Sequence, residues 1–340
     1  MKLLRFLLFP FAILYDLITS TRNFLFDVNI LKSKEFDIPV IAVGNLSVGG
    51  TGKTPQIEYL INLLQNDYKV AVLSRGYKRK TEGFILLNNS HSADDVGDEP
   101  LQFFKKFTNI QVTVDANRTN GITQLLNQKN KPDVILLDDA FQHRKVKAGF
   151  YVLLTKYNDL YSNDFLLPTG NLRESGRGAK RADIIVVTKC PSFLSIEEKI
   201  QIRKKLIATD NQQVLFSSIS YANAIKGEKE IETKKLSDLE IVLVTGIANP
   251  KPMLKFLAEL NVNYHHLNFP DHHHFTENDI NKINSQFDGI SNTNKIILTT
   301  EKDYMRLANK IESLYYLPIK TQFLDNSEKL DKKIQEFVKR

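Results

Sequence analysis

Eight consecutive residues, Ser47-Val48-Gly49-Gly50-Thr51-Gly52-Lys53-Thr54, combine glycines, a lysine and hydroxyls in an order suited to holding phosphate. Glycines let backbone N–H groups turn inward around a β-phosphate, and a helix N-terminus behind them adds its positive end. Lys53 then reaches the β and γ oxygens of a nucleotide such as ATP, and Thr54 can ligate Mg²⁺. The general G-x-x-x-x-G-K-[ST] pattern asks for glycine where Ser47 stands, but Gly49-Gly50 still supplies a flexible backbone, and Pro55 suits a first helical turn. Downstream, Val134-Ile135-Leu136-Leu137-Asp138-Asp139 is a hydrophobic run ending in two carboxylates. At the carboxyl end of a strand such groups face a phosphate loop and hold Mg²⁺ directly or through water.

Two further groups carry chemistry. Val96-Gly97-Asp98-Glu99-Pro100 offers an acid pair beside a glycine and a proline. A carboxylate here would take the proton of an attacking hydroxyl, but a charge pair at a helix N-terminus is an equal reading, and the spacing does not choose between Asp98 and Glu99. Asp271-His272-His273-His274 holds three of the seven histidines. Consecutive histidines point in different directions on a regular backbone, so a three-histidine metal site is disfavoured. A single histidine bonded to a carboxylate is the better functional reading, with a surface cluster as its rival.

The elements that must position these groups follow from apolar patterning. Pro39 to Val43 is a short apolar run and Gln56 to Leu64 has helical periodicity, so the glycine loop sits between a strand and a helix. Runs at Val70–Leu73, Ile110–Val114, Val134–Leu137, Tyr151–Leu154 and Ile184–Val187 are short enough to be strands buried on both faces of a parallel sheet. After about Lys205 the texture changes to an extended connector. A second α/β series then starts at Ile241–Val244, continues through a helix at Pro252–Glu259 and reaches Ile296–Leu298.

With 340 residues, two domains are the better expectation than one. A single cysteine, Cys190, excludes an intrachain disulfide and any cysteine-cluster metal site, and is read as structural. The net charge of +7 favours an anionic partner without choosing it. The runs Lys78-Arg79-Lys80 and Arg203-Lys204-Lys205 read as solvated faces, and the aromatic-plus-basic interleaving of an RNA-binding motif is not evident, so no nucleic acid is expected.

Between Leu3 and Ile18 only Arg5, Pro10, Tyr15 and Asp16 interrupt an apolar series too short and broken for a spanning helix. The preferred reading is a helix in the membrane interface, with Lys2, Arg5 and Arg22 near headgroups and Phe6, Phe9, Phe11 and Leu14 in the acyl boundary. Packing of this helix on the protein's own core is the rival. For the whole chain the rivals to a kinase are a regulatory or metal-insertion NTPase, with Thr188-Lys189 in a base-recognition loop, and a non-catalytic membrane module with a vestigial loop.

In joint occurrence and order, the segments Val43–Pro55, Leu73–Tyr77, Val96–Pro100, Asp138–His143, Gly170–Glu174, Phe269–His272 and Thr300–Asp303 resemble the tetraacyldisaccharide 4′-kinases, the lipid A kinases of Gram-negative bacteria. The resemblance covers most of the chain. It implies an α/β fold: a P-loop NTPase-like, mostly parallel sheet domain with a smaller second α/β domain and an N-terminal membrane-interacting helix. The expected boundaries are 1–27 for the helix, 28–213 for the kinase domain, 214–236 for a β linker and 237–340 for the second domain.

The resemblance also implies ATP, Mg²⁺ and a lipid A precursor disaccharide phosphorylated on its 4′-hydroxyl by a monomer at the cytoplasmic face of the inner membrane. By position, Asp98 looks like the general base with His272 paired to it, although the choice between His272 and His273 stays open. Thr54, Glu99, Asp138 and Asp139 would serve Mg²⁺ or its water shell, and Arg173 and Asn171 would bind substrate. The family's glycine after the second aspartate is Ala140 here, a change that touches the turn rather than the metal ligands.

Overall fold

A computed structural model of the chain describes residues 5–271, 273–324 and 327–339. Eight strands come first in the chain: β1 (Val40–Asn45), β2 (Val70–Ser74), β3 (Ile85–Leu86), β4 (Gln111–Val114), β5 (Val134–Asp138), β6 (Phe150–Lys156), β7 (Ile184–Thr188) and β8 (Gln213–Tyr221). A ribbon of β9 (Ala224–Ile225) and β10 (Ile231–Glu232) follows. Then come β11 (Glu240–Thr245), β12 (Asn263–Asn268), β13 (Lys295–Thr300), β14 (Leu314–Leu317) and β15 (Ile319–Phe323).

The large sheet runs β15-β8-β7-β6-β1-β5-β2-β4-β3 and is parallel except at its edges, where β15 and β3 pair antiparallel. Its central strands β1, β2 and β5 are buried along their whole length because helices cover both faces. Alternation in β1 makes this concrete. Ile41 and Val43 join one core with Ile57, Leu60, Ile61 and Leu64 of the helix Lys53–Leu64, while Val40 and Ala42 join another with Ile122 and Leu125. The second sheet, β12-β11-β13-β14, is wholly parallel.

Two segments sit differently from the sequence expectation. The connector expected from residue 214 begins as β8, a full member of the large sheet. At the other end, β15 pairs with β8, and Leu330, Ile334 and Val338 of the helix Glu328–Val338 enter the core of the first unit. The i, i+4, i+8 spacing of those three residues makes one apolar stripe but does not say which core receives it. The chain therefore returns to its first unit after building the second.

The N-terminal helix, Phe9–Asp27, buries only Ala12 and Phe26. Phe11, Leu14, Leu17 and Ile18 each expose more than half of their surface, at 62%, 55%, 63% and 59%. Among the described residues no helix is long and apolar enough to cross a membrane. Two of the basic residues expected near headgroups also bond the protein itself. Arg5 donates to the carbonyls of Pro168 (3.0 Å) and Gly170 and to Asn171 Oδ1 (3.2 Å), and Arg22 donates to the carbonyl of Gln142 at 3.2 Å. These carbonyls need donors, and the arginines are within reach of them. Lys2 lies outside the described residues.

Candidate active site

The loop after β1 is set by backbone geometry. Gly49 and Gly52 adopt φ of +96° and +86°, and the helix begins at Lys53. Its flanks are tied down: Asn45 Nδ2 donates to the Ser47 carbonyl (2.6 Å), Val48 N to the Asn171 carbonyl (2.8 Å), and Thr188 Oγ1 to the Thr51 carbonyl (2.7 Å). Thr188 thus braces the phosphate loop from the end of β7. The ends of two strands and the segment at Asn171 fix one loop, with its glycine N–H groups and Lys53 at the carboxyl end of the sheet, where α/β folds bind ligands.

The paired register of β1 and β5 sets Val43 opposite Asp138, so the acids sit beside that loop. Lys53 Nζ is 3.8 Å from Asp139 Oδ2. Asp139 adopts a φ of +47°, a conformation an aspartate tolerates, and the following small Ala140 is buried. Arg173 clamps Asp139 through Nη2 to Oδ1 (2.7 Å) and Nη1 to Oδ2 (3.1 Å), and also donates to the Asn45 carbonyl at 2.8 Å. Burial alone would raise Asp139, but Lys53 and Arg173 outweigh it and hold the carboxyl below its usual range. Asp138 accepts from Ser74 Oγ at 2.9 Å, and burial with the neighbouring Asp139 raises it. Glu99 is pushed up to about 7 by withdrawal from water and then by Asp138.

These acids crowd negative charge that their protein neighbours leave partly uncompensated, as the raised carboxyls record. The donors Thr54, Glu99, Asp138 and Asp139 are all hard oxygens. Among the described residues no three acidic, histidine or cysteine side chains converge into a protein-only metal cage. The hard-oxygen donor set suits Mg²⁺, which takes one or two carboxylates and fills its shell with water and substrate phosphate.

Asp98 begins the helix Asp98–Lys106 and faces the second unit. Arg306 forks onto it, with Nε donating to Oδ1 (2.7 Å) and Nη2 to Oδ2, while Nη1 donates to the His273 carbonyl at 2.6 Å. Asp98 and Arg306 line a cleft of about 410 Å³ together with Tyr77, Lys78, His274 and Lys310. His273 turns its ring to Asp279 (Nε2 to Oδ2, 2.9 Å) and stacks on Phe269, so its imidazole is committed within the second unit. His272 lies outside the described residues.

Asn171 and Arg173 sit on a strap between the N-terminal helix and the loop. Tyr15 Oη donates to the Arg173 carbonyl (2.9 Å), and Asn23 Nδ2 donates to Glu174 Oε2 (2.7 Å). Glu174 in turn pairs with Arg181 (2.8 Å) and accepts from Gln142 (2.9 Å). The sequence reading missed Arg306, Ser74 and Arg118, whose Nη2 donates to the Asp138 carbonyl at 2.9 Å. For Arg306 a signal existed: it stands four residues after Lys302, on the same face of the helix Glu301–Leu307.

A family model for tetraacyldisaccharide-1-P 4′-kinases matches residues 4–339. The chain is similar to the tetraacyldisaccharide 4′-kinase of Flavobacterium johnsoniae, at 58% identity over 100% of this chain and 98% of that protein. It is similar to the enzyme of the same name from Bacteroides thetaiotaomicron at 45% identity, covering 94% and 90%. Among solved structures, it resembles LpxK from Aquifex aeolicus in complex with ATP at 32% identity and a TM-score of 0.80, covering 98% of this chain and 99% of that one.

Proposed function

Since the chain belongs to the tetraacyldisaccharide-1-P 4′-kinase family, we propose that Asp98 is the general base of its reaction and that Lys53, Glu99, Asp138 and Asp139 hold its phosphate end. The enzyme uses ATP with Mg²⁺ to phosphorylate the 4′-hydroxyl of the tetraacyldisaccharide 1-phosphate precursor of lipid A. The observation that carries the residue assignment is the adjacency of Asp98 and Glu99. One lines the cleft, while the other shares its field with Lys53 and Asp138.

The loop N–H groups of 47–54 and Lys53 hold the β and γ phosphates, and the loop's bracing by Asn45, Asn171 and Thr188 keeps those donors aimed before substrate arrives. A bound Mg²⁺ would supply charge neutralisation at the reacting phosphate. Thr54, Asp138, Asp139 and Glu99 are the residues that would hold it or its water shell. Arg173 orients Asp139, and Asn171 supports the loop through its carbonyl. Asp98 accepts the 4′-hydroxyl proton as that oxygen attacks the γ-phosphorus. The bond from the γ-phosphorus to the bridging oxygen breaks, and ADP leaves with that oxygen.

The apolar face of the Phe9–Asp27 helix, continued by Phe6 (52% exposed) and Phe165 (46%), supports seating in the acyl boundary of the inner membrane's cytoplasmic face. Both ends of the site come from one chain, which supports a working monomer.

Transfer of γ-labelled phosphate to the purified disaccharide tests both readings. Asp98→Ala should retain ATP binding and lose transfer by about 10³-fold, within the range of a missing general base; near wild-type transfer would remove Asp98 from the role. With substrate presented in vesicles, Leu14→Glu should lower transfer while leaving the detergent-micelle rate intact. Equal loss in both would reject the membrane seat.

A further inference from the structure

The helices Asp98–Lys106 and Glu301–Leu307 lie against each other with an ion pair at each end of the contact. Lys106, in the last turn of the first, reaches Glu301 in the first turn of the second at 2.8 Å. Asp98, in the first turn of the first, meets Arg306 in the last turn of the second. The helices are therefore antiparallel, and each charge sits at the end whose dipole it complements. These are the contacts through which the second unit reaches the acceptor end of the site.

Arg306 is suited to more than docking. A carboxylate on a short side chain rotates about two bonds, and a base that must meet one hydroxyl needs both fixed. The guanidinium meets Asp98 with two donors of one planar fork and is itself held by its third nitrogen on the His273 carbonyl. Such a fork sets the plane of the carboxylate as well as its distance. A carboxylate has about four lone-pair positions, so the two bonds of the fork do not by themselves exhaust it. The pair is mostly buried in the cleft wall, with side-chain exposure of 17% for Arg306 and 10% for Asp98.

We propose that Arg306 is a positioning residue for Asp98: a guanidinium from the second unit holds the base of the first in register with the acceptor hydroxyl. This rests on the reading of Asp98 as the base. Catalytic competence then depends on the two units being docked, because orientation of the base crosses between them. Lysine does not substitute, since its ammonium is a point charge without a fork.

The test measures kcat and the KM for ATP in full-length Arg306→Ala, Arg306→Lys, Asp98→Asn and the double variant Asp98→Asn/Arg306→Ala. A misplacement of about 1 Å costs about 10²-fold, so Arg306→Ala should lower kcat by about that factor and leave the KM for ATP within about twofold. Arg306→Lys should recover little of the loss, and added guanidinium ion should restore part of the Arg306→Ala rate. In the Asp98→Asn background, Arg306→Ala should lower kcat by less than about threefold, because there is no base left to orient.

Losses that multiply in the double variant, or full activity in Arg306→Lys, would overturn the proposal. Wild-type activity in Asp98→Asn would instead overturn the base reading on which it rests. If Arg306→Ala fails to fold by thermal melting, Arg306→Gln, which keeps donors near the His273 carbonyl, serves in the same cycle with the same criteria.

Discussion

The phosphate loop and the cleft at Asp98 are built by different means. At the phosphate end, a loop between neighbouring elements of one parallel sheet presents backbone donors, and the partners that fix it, Asn45, Thr188 and Asn171, belong to the same unit. At the acceptor end, Asp98 depends on an arginine 208 residues away in the other unit. The first end needs only its sheet to be folded. The second needs two units to be docked, and the docking contact buries charge: Lys106 lies between Glu58 (2.7 Å) and Glu301 (2.8 Å). On the proposed reading of Asp98, phosphate binding is rigid and local, while readiness to attack is conditional on a contact between units.

Lys53→Ala attacks the phosphate end alone and should have the largest effect. Phosphoryl transfer should fall by about 10³-fold, since one preorganised donor at a site of developing charge is worth about that. The thermal transition should stay near that of the wild type. A loss below tenfold in the labelled-phosphate assay would show that the loop backbone, rather than Lys53, carries the phosphate end.

Lys106→Met attacks the docking contact. It strands Glu58 and Glu301, exposed by only 6% and 4%, without their cation, and breaking a buried pair in this way costs about 3–5 kcal/mol. Urea unfolding at pH 8 should show the loss, while the isolated affinity for ATP changes little. Unchanged stability would mean that the two units dock without this triad.

The smallest effect is a pH slope. Burial, reinforced by Glu301, pushes Glu58 up to about 7 from about 4.5. The folded protein therefore binds this proton more tightly than the unfolded chain does. The stabilisation is fully present below about 4.5 and is lost as pH rises through about 7, at no more than about 1.4 kcal/mol per pH unit. Glu58→Gln should flatten the decline between pH 5 and pH 7.5 in urea titrations. An identical slope in the variant would remove Glu58 as its source.

What could be read from the sequence divides along the same line. Gly49, Gly52, Lys53 and Thr54 are contiguous, and the conformations they require are properties of a few adjacent residues. The loop was therefore legible as a loop before a helix, although the helix begins at Lys53, ahead of the periodicity read from Gln56. Asp138 and Asp139 were legible because an apolar run ending in acids has one place to go in a parallel sheet. The roles of Asp98 and Glu99 were not separable by spacing, since neighbours on a first helical turn differ in what they face only once other elements surround them. Arg173 was legible as a site residue but not as the clamp on Asp139, because that contact joins the end of β5 to a strap 34 residues on.

The amino-acid sequence by itself determined the loop, the strand ends and the apolar first helix, because each is encoded by local periodicity and by residues that tolerate few backbone conformations. Tertiary structure alone decided that His273 is spent on Asp279, that the last strand and helix rejoin the first unit, and that Arg306 reaches Asp98. Such contacts form between segments whose separation along the chain carries no information about their separation in space. Only the packing of two cores brings them within hydrogen-bond distance.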